Sequence, residues 1–80
     1  PPESWAGHSF SKTIRGRLLS YLSAQALREN SRSFAIPFDR QQLADYLGVD
    51  RSALSAELGR MRAEGLIRFR KNEFELLREP

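Results

Sequence analysis

The stretch FDRQQLADYLGVDRSALSAELGRMRAEGL, residues 38–66, decides how this chain folds. Asp39 and Gln42 stand three apart, the spacing of a capping box in which each side chain satisfies a backbone N–H at a helix start. Leu43, Ala44 and Leu47 then form the buried stripe of a short helix. Gly48 follows where a left-handed residue ends a helix. Val49 is apolar, and Asp50 is placed to cap the next helix at once. In that helix Leu54, Leu58 and Met61 make the core face, and Gly65 ends it. Two helices separated by a turn of about three residues form a helix-turn-helix.

The second of these helices, expected over about 51–64, has an unusual exposed side. At about 100° per residue, Arg62, Ser55, Gly59, Ser52 and Ala56 follow Arg51 within about 140°, while Leu54, Leu58 and Met61 lie opposite. A solvated face ordinarily carries long charged side chains. A strip of small residues edged by arginines suits close approach by another molecule. A major groove admits a helix whose leading face is slim or whose long side chains meet base edges. The ordinary alternative is packing against another protein helix.

Downstream, LIRFRKNEFELL (residues 66–77) reads as a hairpin. With Lys71-Asn72 as a two-residue turn, Arg70 faces Glu73, Phe69 faces Phe74, Arg68 faces Glu75 and Ile67 faces Leu76. Apolar pairs then share one face and opposite charges the other, which fixes the register. Arg70 and Lys71 fall at the tip, in reach of a phosphate backbone. A helix-turn-helix followed by such a hairpin is a winged helix.

Upstream, Ile14, Leu18, Tyr21 and Leu22 recur at helical spacing and predict a first helix from an N-cap at Ser11 to about Glu29. Gly16 weakens it slightly. ENSRS (29–33) is a turn. Phe34, Ile36 and Phe38 alternate as in a short strand, which Pro37 either ends or confines to a sheet edge. Residues 1–10, PPESWAGHSF, lack periodicity and read as a flexible lead-in. The expected fold class is therefore α+β, a small winged helix-turn-helix domain over residues 11–80: three helices, a β-hairpin wing and a short extra strand.

Eighty residues make one domain with a modest core. The net charge is +3, but residues 51–71 carry six basic and two acidic side chains, so the rest of the chain is slightly acidic. A basic patch on a nearly neutral body points to a polyanionic partner. The absence of cysteine excludes disulfides and thiolate metal sites within the chain and fits a cytoplasmic protein. No apolar run approaches membrane-spanning length.

IPFDRQQLADYLGVDRSALSAELGRMRAEGLIRF (36–69), with SKTIRGRLLSYL (11–22) before it and NEFELL (72–77) after it, resembles the C-terminal DNA-binding domain of the Crp/Fnr transcription regulators. The resemblance covers about residues 9–77 and agrees in the order and spacing of its motifs. It implies a bacterial, cytoplasmic regulator whose homodimer binds palindromic promoter sites in double-stranded DNA, with RNA polymerase as a further partner. It also implies that a small effector or redox signal is sensed by an N-terminal domain of the parent protein. That domain and the dimerisation helix are absent from this chain, which is expected to be monomeric alone and to need no cofactor. The positions matching the family's base readers are Arg51, Ser52, Ser55 and Ala56. Many members carry glutamate where Ser52 stands and arginine where Ala56 stands, so the family's usual target sequence does not carry over. Gln41 matches a phosphate-contacting position. Arg60, Arg62, Arg70 and Lys71 are the remaining expected phosphate contacts. Asp50 replaces a phosphate-binding serine of some members and is read here as a cap.

Other chemistry finds little footing. His8 is the only histidine and stands in the lead-in, away from any ligand cluster. Glu73 and Glu75 are paired carboxylates whose partners across the hairpin are arginines. There is no glycine-rich phosphate loop, catalytic triad or zinc-ligand spacing. The reading is sequence-specific DNA binding, not enzymatic catalysis. The alternative is a winged helix that binds another protein and not DNA.

Overall fold

The computed structural model describes residues 13–77. Its elements run α1 (Ile14–Glu29), β1 (Ser33–Ala35), α2 (Arg40–Leu47), α3 (Arg51–Ala63), β2 (Ile67–Arg70) and β3 (Glu73–Leu76). The three strands form one antiparallel sheet in the order β1-β3-β2. This is the expected α+β winged helix-turn-helix, with β2 and β3 as the wing and β1 as the extra strand.

Local signals account for most boundaries. The Asp39 carboxylate accepts from Gln42 N at 2.8 Å and the Gln42 side chain accepts from Asp39 N at 2.9 Å, closing the capping box of α2. Gly48 ends α2 at φ 72°. Asp50 caps α3 by accepting from Ala53 N at 3.0 Å. Gly65 follows α3 at φ 78°. Arg17 of α1 donates to the carbonyls of Leu47 and Gly48 at 3.0 and 3.3 Å, satisfying the end of α2 across 30 residues of sequence.

Three expectations need correction. The α1 N-cap is Thr13, whose hydroxyl accepts from Gly16 N at 3.0 Å; Ser11 stands two residues too early to cap a helix that begins at Ile14. β1 stops at Ala35, so Phe38 is outside the strand and packs instead against Tyr21 and Tyr46, with ring centroids 6.0 and 5.2 Å away. Only one of the two cross-strand charge pairs closes. Arg68 lies 3.4 Å from Glu75, whereas among the described residues no ion pair joins Arg70 to Glu73 beside the turn. The lead-in of residues 1–10, with Trp5 and His8, lies outside the described residues.

The hairpin register is as expected: Ile67↔Leu76, Arg68↔Glu75, Phe69↔Phe74, Arg70↔Glu73. At its tip Lys71 has φ 55° and Asn72 does not have positive φ, so the turn is not type I′, which needs both. Asn72 has another task. Its amide donates to Ile36 O at 2.8 Å and its carbonyl accepts from Ile36 N at 2.9 Å, tying the wing tip to the segment after β1.

The core contains Leu18 and Leu22 of α1, Phe34 and Ile36, Leu43 and Ala44 of α2, Leu54, Leu58 and Met61 of α3, and Ile67, Phe74 and Leu76 of the wing. Leu47 is only partly buried against it. Every element contributes, so the wing and the helix-turn-helix share one core and hold a fixed relation.

Candidate nucleic-acid interface

With Leu54, Leu58 and Met61 buried, α3 turns the opposite side outward: Arg51, Ser52, Ser55, Ala56 and Arg62 are all exposed. A Cβ built on Gly59 meets nothing within 4 Å. The domain's own packing therefore does not require glycine there, although glycine inside a helix costs about 0.5–1 kcal/mol relative to alanine. The strip is bare on the outside, not filled from within.

The two flanks of this strip differ. On the flank toward α1, arginines meet carboxylates. Glu57 is buried, with 8% of its surface exposed. It accepts from Arg15 Nε at 2.5 Å and from Arg60 Nη2 at 2.7 Å. Arg15 also makes a two-pronged contact with Glu64, at 2.9 and 2.8 Å. Burial pushes the Glu57 carboxyl up, but the hydrogen bonds from Arg60 and Arg15 outweigh it and hold the group below its ordinary value. The two carboxylates raise the Arg15 guanidinium in turn.

On the flank toward the wing, arginines meet an aromatic ring. The Arg62 guanidinium carbon lies 4.6 Å from the centre of the Phe69 ring. Arg40, in the first turn of α2, lies 5.5 Å from the same centre and 5.6 Å from that of Phe74. Arg40 also donates to the Lys71 carbonyl at 3.0 Å, fastening α2 to the wing tip. Burial lowers the Arg40 pKa, and the nearby positive charge of Arg51 lowers it further. Among the described residues no carboxylate is ion-paired to Arg40, Arg51 or Arg62. Between α2 and the wing tip lies an open cleft of about 450 Å³, lined by Pro37, Phe38, Asp39, Arg40, Lys71 and Asn72.

The structure thus gathers Arg51, Ser52, Ser55, Ala56 and Arg62 on one side of α3 and sets Arg70 and Lys71 exposed at the wing tip. Gln41 is exposed on α2, its side-chain amide donating to Asp45 at 2.9 Å. Arg60 stands apart, turned toward Glu57. Sequence reasoning misses Arg40, Phe69 and Arg15. Arg40 carries a visible signal, a cation at the start of a helix where the dipole disfavours one. The partners of Arg15 lie 42 and 49 residues away and leave no local trace.

Among the described residues no group of three or more His, Cys, Asp or Glu could hold a metal ion, and no helix is long and apolar enough to cross a membrane. No curated protein matches the chain significantly. The family model described as the Crp-like helix-turn-helix domain matches residues 16–80, a span that takes in the helix-turn-helix, the wing and most of α1. With the matching fold in place, the chain belongs to the Crp-like helix-turn-helix family, the DNA-binding domains of transcription regulators.

Proposed function

We propose that α3 enters the major groove of double-stranded DNA with its bare strip against the bases while the wing grips the adjoining backbone. Arg51 in the first turn, with Ser52 and Ser55, hydrogen-bonds to base edges, and Ala56 offers a methyl group to thymine. Gln41, Arg40, Arg62, Arg70 and Lys71 hold phosphates, which sets the register on the duplex. Arg60 holds Glu57 and is not among the phosphate contacts. The parent is a bacterial, cytoplasmic regulator that binds a palindromic promoter site as a homodimer, senses a small effector outside this chain and engages RNA polymerase. The isolated chain needs no cofactor and reads one half-site as a monomer.

The observation that carries this reading is the cluster of Arg40, Arg51 and Arg62. Arg40 and Arg62 lie against the same Phe69 ring, and Arg51 is near enough for its charge to act on Arg40. Among the described residues no carboxylate is ion-paired to any of the three, so a polyanion supplies a counter-charge that the fold does not.

Binding to a selected site and to a scrambled duplex across a salt series tests it. Losing a base contact costs about 1–3 kcal/mol on the preferred site and much less on random DNA, whereas losing a phosphate contact weakens all sequences and lowers the salt slope by about one. Arg51→Ala is expected to erode the preference. Arg70→Ala combined with Lys71→Ala is expected to flatten the salt dependence and keep the preference. Equal weakening of both duplexes by Arg51→Ala would make Arg51 a phosphate clamp and leave reading to Ser52, Ser55 and Ala56.

A further inference from the structure

Phe69 occupies an unusual position on the wing. It is half-buried on β2, directly across from the core residue Phe74, with ring centroids 5.8 Å apart. Two guanidiniums from two different helices lie against it: Arg62 of α3 at 4.6 Å and Arg40 of α2 at 5.5 Å. It is the one side chain among the described residues shared in this way by the wing, α2 and α3. A stacked guanidinium spends its flat face on the ring and keeps its in-plane N–H donors for an anion. Arg40 uses one of those donors on the Lys71 carbonyl, which leaves the others. The ring also offsets part of the repulsion between Arg40 and Arg51, which stand near one another with no carboxylate ion-paired to either among the described residues.

We propose that Phe69 is a positioning residue for DNA binding: its ring holds Arg40 and Arg62 in fixed orientation, so that helix and wing meet the phosphate backbone as one pre-set surface. The proposal rests on the reading that this face binds duplex DNA. Phe69 itself touches no DNA. It acts by reducing the rotamer freedom that two long side chains would otherwise lose on binding.

Two measurements test it. The first needs no DNA. Protons above an aromatic ring shift upfield, so the side-chain Hδ and Hε resonances of Arg62 and Arg40 are expected upfield in the free chain. In Phe69→Leu the Arg62 shift is lost, while Arg40 keeps part of its own from Phe74. The second is a cycle of duplex affinities for the wild-type chain, Phe69→Leu, the Arg40→Gln/Arg62→Gln pair and the combination of all three. Phe69→Leu is expected to weaken binding about tenfold in the wild-type background and to add nothing once both arginines are glutamine. Phe69→Tyr, which keeps the π face, restores affinity. If Phe69→Leu does not fold, Phe69→Ile replaces it as a strand-compatible aliphatic residue. Absent ring shifts in the wild type, or an undiminished effect of Phe69→Leu in the glutamine background, overturn the proposal. Ring shifts without any duplex binding by the wild type overturn the DNA-binding reading itself, and this proposal with it.

Discussion

The two sides of α3 carry the same residue type in opposite circumstances. Toward α1, Arg15 and Arg60 face Glu57 and Glu64 across contacts of 2.5–2.9 Å. Toward the wing, Arg62 and Arg40 face Phe69, with Arg51 nearby and no carboxylate ion-paired to any of the three among the described residues. The first arrangement satisfies itself and holds the helix in place. The second satisfies itself only in part, and in the function proposed above the DNA backbone completes it. Charge counts along the chain treat all these arginines alike. What separates a structural arginine from a binding one is whether the fold supplies its counter-charge.

The largest effect comes from removing the platform that both flanks share. Leu58 of α3 is 1% exposed within the core. Leu58→Ala is expected to cost about 2–5 kcal/mol, a large part of the stability of a domain this small. Thermal melting reads it, and an unchanged melting temperature would mean that the core face of α3 is wrongly assigned.

Glu57→Gln breaks the α1 flank alone. It removes the charge that Arg15 and Arg60 share and is expected to cost about 1.5–3 kcal/mol near neutral pH. Because the Glu57 carboxyl is held below its ordinary 4.5 in the folded chain, the unfolded chain binds more protons in the interval between the two values, and stability rises with pH there. The contribution is complete above the ordinary value and is lost as pH falls through the folded one. Denaturation midpoints of wild type and Glu57→Gln should therefore converge in acid. A difference that persists below the folded value would mean that the charge is not what holds the flank.

Much of this arrangement is legible in the sequence. The wing register follows from LIRFRKNEFELL because period-two alternation and opposite charges select the same pairing. Asp39, Gln42, Gly48 and Asp50 mark the turn of the helix-turn-helix because caps are local chemistry. The bare strip of α3 follows from its helical phase. The contrast between the flanks is not legible there. Arg60 and Arg62 are neighbours in a basic run, and only tertiary packing puts one beside Glu57 and the other over Phe69. Arg40 reaches the wing across 31 residues. The start of α1 is ambiguous in sequence because Ser11 and Thr13 are both good caps, and only backbone geometry chooses between them.

Gly59 sharpens the comparison with an effect of opposite sign on two quantities. With open space around the position, Gly59→Ala is expected to stabilise the free domain by about 0.5–1 kcal/mol through helix propensity. If the strip is where DNA approaches, the added methyl should weaken duplex binding while the melting temperature rises. Stabilisation without loss of binding would mean that DNA does not come close at Gly59.

The central claim, that the open flank and not the paired one meets the DNA backbone, is tested most directly by the salt slope of duplex binding in two single variants, Arg62→Gln and Arg60→Gln. Both remove one positive charge from the same helix, two residues apart. Arg62→Gln is expected to lower the slope of log K against log salt by about one, with folding stability little changed. Arg60→Gln is expected to leave that slope nearly unchanged and to lower the melting temperature through its lost contact with Glu57. Equal reductions in slope for the two variants, or a larger one for Arg60→Gln, would contradict the account.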